Sequence, residues 1–339
     1  DMLKFIFNLR KIFILNLVLI TLSQFSFAQE KKKIETQEHF EKIYDSIVRI
    51  TSTIPDDART AGSLGTSRRG TGVVIDDKHI LTIGYIVAEA DQILIGLPGG
   101  KDVPGDLVAY DHSTGFGILK TILPTKLNPL QLGDSDNISE EELLFVMPYP
   151  DQGQGSGARA VSRRPFTGWW EYYLEKPIYT YPMTQSWAGT PLLNTYGEVL
   201  GIGSLYVQES VQGIQSPGNL FVPVNILKPI LSDLLKNGRR TKQINPYMGI
   251  NSEESNGKVY ITRVSENGPA ANAGILSNDI ILSVNGINVN SIKDFYLTAW
   301  SLGGPGTSIK LEVERNQKKI TFDIKTVDRM DYFVKPKYL

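Results

Sequence analysis

Short apolar runs separated by turn-forming residues follow one another from residue 47 onward. β-Branched residues are frequent in these runs, and glycine, proline, aspartate or lysine stands between them, which is typical of an all-β sandwich or barrel. The clearest predicted strands cover residues 47–50, 71–76, 79–87, 92–97 and 106–111. The polar segments 51–69 and 151–168 are expected to be loops.

The period changes to a helical one near residue 225. Apolar side chains at 226, 227, 230, 231, 234 and 235 share one face, Asn225 can cap the first turn, and Gly238 can end the last. The segment therefore predicts a helix over residues 225–237 that closes the β-rich part of the chain. Residues 238–246 are expected to be a linker.

The pattern over residues 247–330 mixes both periods and predicts a compact α+β module. Asn256-Gly257 and Asn285-Gly286 stand between apolar runs, which is a strong signal for tight turns. Ser291 with Asp294 three residues later predicts a capped helix start. Residues 331–339 are expected to be a tail.

The N-terminal residues have the composition of a targeting segment. A positive start, an apolar run over 12–22 and a small-x-small site at 26–28 indicate a signal peptide over residues 1–28. An uncleaved membrane anchor is the alternative, although the apolar run is short for a membrane span. Residues 29–40 are charged and predict a solvated linker. The protein is thus expected to be exported, to the periplasm or beyond.

Composition excludes several kinds of chemistry. The formal net charge is −1, so no basic surface indicates a nucleic-acid partner. The chain has no cysteine, which removes disulfides, thiolate metal sites and a cysteine nucleophile. Its three histidines, His39, His79 and His112, lack the spacing of a zinc motif. We therefore expect no metal and no cofactor.

Motifs occur along the chain in an order and spacing that resemble one protein family. They include GTGVVID (70–76), LGDSDNI (132–138), AGTPLLNTYGEVLGI (188–202), FVPVNILKPIL (221–231), YMGI (247–250) and GPAANAGI (268–275). Together they resemble the HtrA/DegP family of trypsin-like serine proteases. The resemblance implies a mainly β fold, with a chymotrypsin-like double β-barrel over residues 41–237 and an α+β PDZ domain over residues 247–330.

The same resemblance implies that the catalytic triad is degenerate. Tyr85 stands where the family has its histidine, Gly115 where it has its aspartate, and Ala188 where it has its serine. A phenol with a pKa of about 10 is a poor proton acceptor at neutral pH, and the other two side chains carry no reacting group. Ser186 and Trp187 replace the glycine and asparagine of the oxyanion turn. The prediction is a pseudoprotease.

Two alternatives stay open at this point. The first is an active serine endopeptidase with a non-standard site, for which Ser186 is the candidate nucleophile, although the three histidines are interpreted as surface residues without a role. The second is a regulatory subunit that co-assembles with an active relative, since the family forms trimers. A homo-trimer is also compatible with the resemblance.

The remaining binding function is expected in the PDZ domain. Its carboxylate-binding loop corresponds to Tyr247, Met248, Gly249 and Ile250, whose backbone N–H groups would hold a peptide terminus while the peptide adds a strand to the sheet. The expected partners are peptides or protein C-termini and unfolded proteins, which suits an adaptor or chaperone. An aromatic cluster, composed of Trp169, Trp170, Tyr172, Tyr173 and Trp187, is a candidate for peptide contact or core packing.

Overall fold

A computed structural model describes residue 33 and residues 37–139 and 141–334. The predicted signal peptide and most of the predicted N-terminal linker lie outside these residues. The helices are α1 (Gln37–Tyr44), α2 (Ala61–Leu64), α3 (Lys228–Asn237), α4 (Pro269–Ala273), α5 (Ile292–Ser301) and α6 (Arg329–Tyr332), with 3-10 turns at Gly84–Ile86 and Val224–Ile226. No helix within the described ranges combines the length and hydrophobicity that a membrane crossing needs.

The strands of the first barrel are β1 (Ile47–Thr53), β2 (Ser67–Val74), β3 (His79–Ile83), β4 (Gln92–Gly96), β5 (Asp102–Tyr110) and β6 (Phe116–Thr121). They close in the order β1-β2-β3-β6-β5-β4. Large apolar side chains such as Ile50, Leu81 and Phe116 fill its interior and are fully buried. The apolar runs of the sequence thus supply the core of this barrel.

The second barrel contains β7 (Leu143–Val146), β8 (Ser156–Ser162), β11 (Ile178–Tyr181), β12 (Pro191–Leu193), β13 (Val199–Val207) and β14 (Gly218–Pro223). It closes in the order β11-β14-β13-β12-β7-β8. A separate hairpin of β9 (Phe166–Gly168) and β10 (Tyr172–Leu174) extends from it. Two closed six-stranded barrels confirm the predicted chymotrypsin-like double barrel.

Both predicted loops are partly wrong. β1 and β2 stay paired as far as Thr53 and Ser67, so the polar segment between them is shorter than expected. The glycine-rich segment 151–168 contains β8, which pairs with β7 and β11. Ala158 and Ala160 face the barrel core and are nearly buried. Small side chains make a weak hydrophobic signal, yet their alternation fits a crowded barrel interior.

The predicted helix after the second barrel starts later than its sequence pattern suggests. A 3-10 turn precedes it, and α3 begins at Lys228, with Pro229 in its first turn and Gly238 in the left-handed C-cap conformation at φ 72°. Asn225 does not cap the helix. Its side chain instead contacts the 134–136 loop, accepting from the Ser135 N–H at 3.3 Å.

The C-terminal module is a sheet of β15 (Ile250–Ser255), β16 (Lys258–Val264), β17 (Ile280–Val284), β18 (Ile287–Asn288), β19 (Ser308–Arg315) and β20 (Lys318–Lys325). Both predicted Asn-Gly turns are confirmed, since Asn256 and Asn285 adopt positive φ. The cap of α5 is confirmed as well, because the Ser291 hydroxyl accepts from the Asp294 N–H at 3.0 Å. Phe295 and Tyr296 then bury against the sheet.

Candidate functional site

The three positions aligned with the triad lie on loops where the two barrels meet. Tyr85 belongs to the 3-10 turn that follows β3, Gly115 precedes β6, and Ala188 precedes β12. The structure brings their segments together. The Gly84 N–H donates to the Gly115 carbonyl at 2.6 Å, and the Ala188 carbonyl accepts from the Thr71 N–H at 2.9 Å.

Tyr85 spans the junction of the two barrels as a hydrogen-bond donor. Its hydroxyl donates to the Ser204 carbonyl of β13 at 2.8 Å. Burial raises the pKa of Tyr85 far above its ordinary value, and the Trp187 side chain offsets this shift only in part. A buried phenol with its proton committed to a carbonyl cannot serve as a general base near neutral pH.

The surroundings of Gly115 leave little room for a side chain. Its φ is +87°, a conformation that L side chains rarely adopt. A Cβ atom at this position would lie 3.0 Å from the Tyr172 hydroxyl oxygen. That hydroxyl is itself held in place, because it donates to the Thr114 carbonyl at 2.7 Å. The phenol of Tyr172 therefore occupies the space beside the former acid position.

The turn around Ala188 is held tightly against the first barrel. Gly189 has φ +73°, and a Cβ there would collide with the Thr71 carbonyl at 2.0 Å. The Ser186 hydroxyl donates to the Gln152 carbonyl, and the Thr190 hydroxyl donates to the Ser186 carbonyl at 2.5 Å. The Ser186 hydroxyl is thus bonded to a backbone carbonyl, which cannot accept its proton in catalysis.

Two of the histidines have partners far from Ser186 in the chain. His79 is hydrogen-bonded to Asp76 through Nδ1 at 2.8 Å. His112, expected at the surface, is instead partly buried, and its Nε2 lies 2.7 Å from the Arg329 guanidinium while its Nδ1 contacts the Tyr110 hydroxyl at 2.8 Å. Because arginine can only donate, Nε2 accepts and Nδ1 carries the proton. Burial is the main cause that holds the pKa of His112 well below its ordinary range, and the charge of Arg329 acts in the same direction.

A cavity of about 780 Å³ lies beside the former site. Tyr85, Gly115, Trp169, Trp187 and Tyr206 are among its lining residues. Trp169, which lines this cavity, is 51% exposed to solvent. In the part of the chain that the structure describes, no three His, Asp or Glu side chains are grouped as metal ligands would be. The absence of a metal and of a cofactor stays a prediction.

The loop expected to bind a peptide carboxylate holds a carboxylate of the chain itself. Glu171 accepts from the N–H groups of Met248 at 3.0 Å, Gly249 at 2.7 Å and Ile250 at 2.8 Å. Its side chain is buried, and the residue is only 4% exposed. Burial raises the pKa of the Glu171 carboxyl, whereas the three N–H groups and Arg329 act in the opposite direction.

Side chains of the predicted loop serve mainly as packing. Met248 and Ile250 are buried in the core of the C-terminal module, so these two residues offer a ligand their backbone and not their side chains. Gly249 has φ +82°, which lets the loop turn its N–H groups toward one point. Tyr247 is nearly buried, its hydroxyl lies 2.9 Å from the Ser265 hydroxyl, and the Arg329 guanidinium covers its ring at 4.7 Å.

Sequence reasoning missed Glu171 and Arg329. Trp169, Trp170, Tyr172 and Tyr173 were selected as an aromatic cluster, and the acid between them was overlooked. Its signal was a single charge inside the run 169–173, since a carboxylate among aromatic residues needs specific hydrogen-bond donors when it is buried. No comparable signal marks Arg329.

Known families and relatives agree with the two-part architecture. Residues 70–202 match the trypsin-like peptidase domain family, and residues 246–326 match the PDZ domain family. Over 297 residues the chain is 27% identical to "Serine protease Do-like HtrA" of Lactobacillus helveticus, covering 78% of this chain and 70% of that protein. It is 28% identical over 279 residues to "Serine endoprotease DegS" of Salmonella typhimurium, covering 75% of each.

A third relative carries a location in its name. The "Probable periplasmic serine endoprotease DegP-like" of Pseudomonas putida is 27% identical over 286 residues, covering 79% of this chain and 57% of that protein. Among solved structures, "HtrA-type protease AlgW with decapeptide" superposes with a TM-score of 0.52 at 17% identity, covering 88% of this chain and 99% of that one. This likeness concerns the fold alone. The chain is therefore similar to HtrA/DegP proteins over most of its length, with a match to a trypsin-like peptidase domain followed by a match to a PDZ domain.

Proposed function

We propose that this chain is a catalytically inactive, exported HtrA-like protein that binds peptides or unfolded proteins through its PDZ domain, as an adaptor or chaperone. The degenerate triad positions are Tyr85, Gly115 and Ala188, with the altered oxyanion turn at Ser186 and Trp187. The PDZ ligand loop is Tyr247–Ile250.

The inactivity is supported by the environment of these positions and not by their identity alone. Tyr85 donates its proton to a carbonyl, and the Tyr172 hydroxyl fills the space beside Gly115. The Ser186 hydroxyl donates to the Gln152 carbonyl. Acyl transfer needs a nucleophile, a base and an orienting acid in contact with one another, and no member of such a set is in place here.

The observation that carries the binding function is the occupied PDZ loop. Three consecutive backbone N–H groups, from Met248 to Ile250, converge on one carboxylate within hydrogen-bond distance. The loop therefore has the donor geometry that recognition of a peptide C-terminus requires. None of these donors depends on a catalytic side chain.

The inactivity is tested with the purified chain, denatured casein as substrate and a fluorophosphonate probe. We expect neither cleavage nor labelling above the level of a heat-inactivated sample. Cleavage with labelling that both disappear in Ser186→Ala would contradict the proposal and assign the nucleophile to Ser186. Activity that survives in Ser186→Ala would also contradict it, and would place the nucleophile elsewhere.

The chaperone role has a separate test. We expect the chain to suppress light scattering by reduced, aggregating α-lactalbumin at near-stoichiometric ratios. Bovine serum albumin serves as the protein control. Scattering that follows the same time course with the chain as with albumin would remove the chaperone part of the proposal.

A further inference from the structure

The segment that carries Glu171 is the turn of the β9–β10 hairpin, and it lies against β15, the edge strand of the PDZ domain. Besides the three contacts of the Glu171 carboxylate, the Trp169 carbonyl accepts from the Ser252 N–H of β15 at 3.0 Å. Glu171 contacts Ile250, and two residues before Glu171 the chain contacts the residue two after Ile250. The turn thus contacts β15 through one backbone hydrogen bond and one carboxylate contact, at the sheet edge that an extended peptide would join.

Helix α5, which together with β15 and the 247–250 loop borders the expected peptide groove of the PDZ domain, contacts the segment as well. The Tyr296 hydroxyl accepts from the Glu171 N–H at 2.9 Å. Residues 169–171 thus touch the loop, the edge strand and the helix that together border the groove. The Glu171 side-chain carboxylate thereby accepts from the three N–H groups that the terminal carboxylate of a bound peptide would use.

This arrangement is reinforced at its backbone. Glu171 has φ +56°, which is unfavourable for a residue other than glycine and persists only where the surroundings enforce it. Arg329 donates to the Trp170 carbonyl at 2.8 Å, and the Trp170 ring stacks on Tyr172 at a centroid distance of 5.5 Å. The segment is therefore held from both domains and is not a loosely placed loop.

We propose that residues 169–171 are an internal ligand of the PDZ domain, and that a free C-terminal carboxylate must displace Glu171 in order to bind. Two carboxylates cannot share the same three N–H groups, because each donor has one hydrogen atom and the anions would repel each other. The inference rests on the proposed PDZ function and adds its regulation. A tethered ligand acts at high effective concentration, so it lowers the apparent affinity for peptides in solution.

The test compares the full chain with Glu171→Gln and with the matched control Glu175→Gln, an exposed acid just beyond β10. The glutamine amide keeps the size of the side chain, but it removes the charge and turns an NH₂ group toward the N–H donors. The probe is a fluorescein-labelled hexapeptide that copies residues 166–170 and ends in an alanine with a free carboxylate. The same peptide with an amidated end is its control.

Fluorescence anisotropy should show the free-carboxylate probe binding Glu171→Gln at least about tenfold more tightly than the unaltered chain or Glu175→Gln. The amidated probe should bind none of the three. Equal affinity for the unaltered chain and Glu171→Gln would overturn the internal-ligand inference while leaving the PDZ function intact. If the probe binds none of the three proteins, the result would count against the PDZ function.

A second measurement decides the inference independently of the probe and of the variant's stability. Hydrogen exchange of the Met248, Gly249 and Ile250 amides in the unaltered chain should be slow, and peptide-free Glu171→Gln should lose that protection while circular dichroism reports retained structure. If Glu171→Gln does not fold, the unaltered chain alone is decisive. Rapid exchange at all three amides would show that Glu171 does not occupy the loop.

Discussion

Replacing Gly115 by alanine measures how tightly the Tyr172 phenol packs against this glycine. The change adds a single methyl group at φ +87°, and that group would lie 3.0 Å from the Tyr172 hydroxyl. Two costs are expected. One is the conformational cost of an L residue in the left-handed region, and the other is displacement of the phenol from its bond to the Thr114 carbonyl.

The magnitudes can be estimated separately. A non-glycine residue in the left-handed region costs about 1–2 kcal/mol. Loss of the Tyr172 hydrogen bond costs about 1 kcal/mol. We therefore expect Gly115→Ala to lower the free energy of unfolding by about 2–3 kcal/mol. Gly99, in the hairpin between β4 and β5 of the same barrel, has φ +85° and no atom within 4 Å of an added Cβ. Gly99→Ala should show the conformational cost alone.

Urea unfolding followed by tryptophan fluorescence gives both values, and a double-mutant cycle with Tyr172→Phe isolates the contact. Without the phenol oxygen, Gly115→Ala should cost no more than Gly99→Ala. Equal losses for the two glycine variants in the unaltered background would refute the steric reasoning. So would a cycle in which the Gly115 and Tyr172 substitutions are additive.

Two further predictions concern buried polar groups. Because the pKa of His112 in the folded chain lies well below 6.5, only the unfolded chain takes up its proton between that value and the folded pKa. The free energy of unfolding should therefore fall as the pH drops below about 6.5, by up to about 1.4 kcal/mol per pH unit. In urea titrations, His112→Gln should reduce this slope. An unchanged slope would contradict the assignment of a neutral, buried imidazole. Arg240→Met should lower the free energy of unfolding by about 3 kcal/mol, because it removes the guanidinium that lies 2.9 Å from the Asp111 carboxylate. The Asp111 side chain is only 4% exposed, so its charge would be buried without a counter-ion. Lys319→Met, at a solvent-exposed pair, should cost under about 0.5 kcal/mol, and similar losses for the two variants would show that burial of the Arg240 pair is unimportant.

Local sequence signals predicted most of the architecture. Short apolar runs between turn-forming residues predicted the strands of the first barrel, and Asn-Gly pairs predicted the tight turns of the C-terminal module. Predictions were wrong where the local signal was weak, or where a residue that could cap a helix makes other contacts in the fold. β8 escaped notice because its buried residues are alanines, and α3 begins after Asn225 because that side chain is drawn into bonds with the 134–136 loop.

The candidate site divides in the same way. Motif spacing is a property of the chain alone, so comparing motifs was enough to select residues 85, 115 and 188 as the triad positions. The residues that surround these positions in space cannot be found in that way. Tyr172 fills the space beside Gly115 although Gly115 precedes β6 of the first barrel and Tyr172 begins β10 of the separate hairpin, and no pattern along the chain records that contact.

By itself, the sequence determined the mainly β double barrel and the α+β PDZ domain, and it supports the proposal that the three reactive side chains are missing, since these depend on residue type and local spacing. Tertiary structure alone decided what occupies the PDZ loop. Glu171 and Met248 are 77 residues apart, and their contact depends on how a hairpin of one domain meets an edge strand of the other. Such a contact depends on the geometry of two separately folded surfaces, which hydrophobic periodicity does not encode.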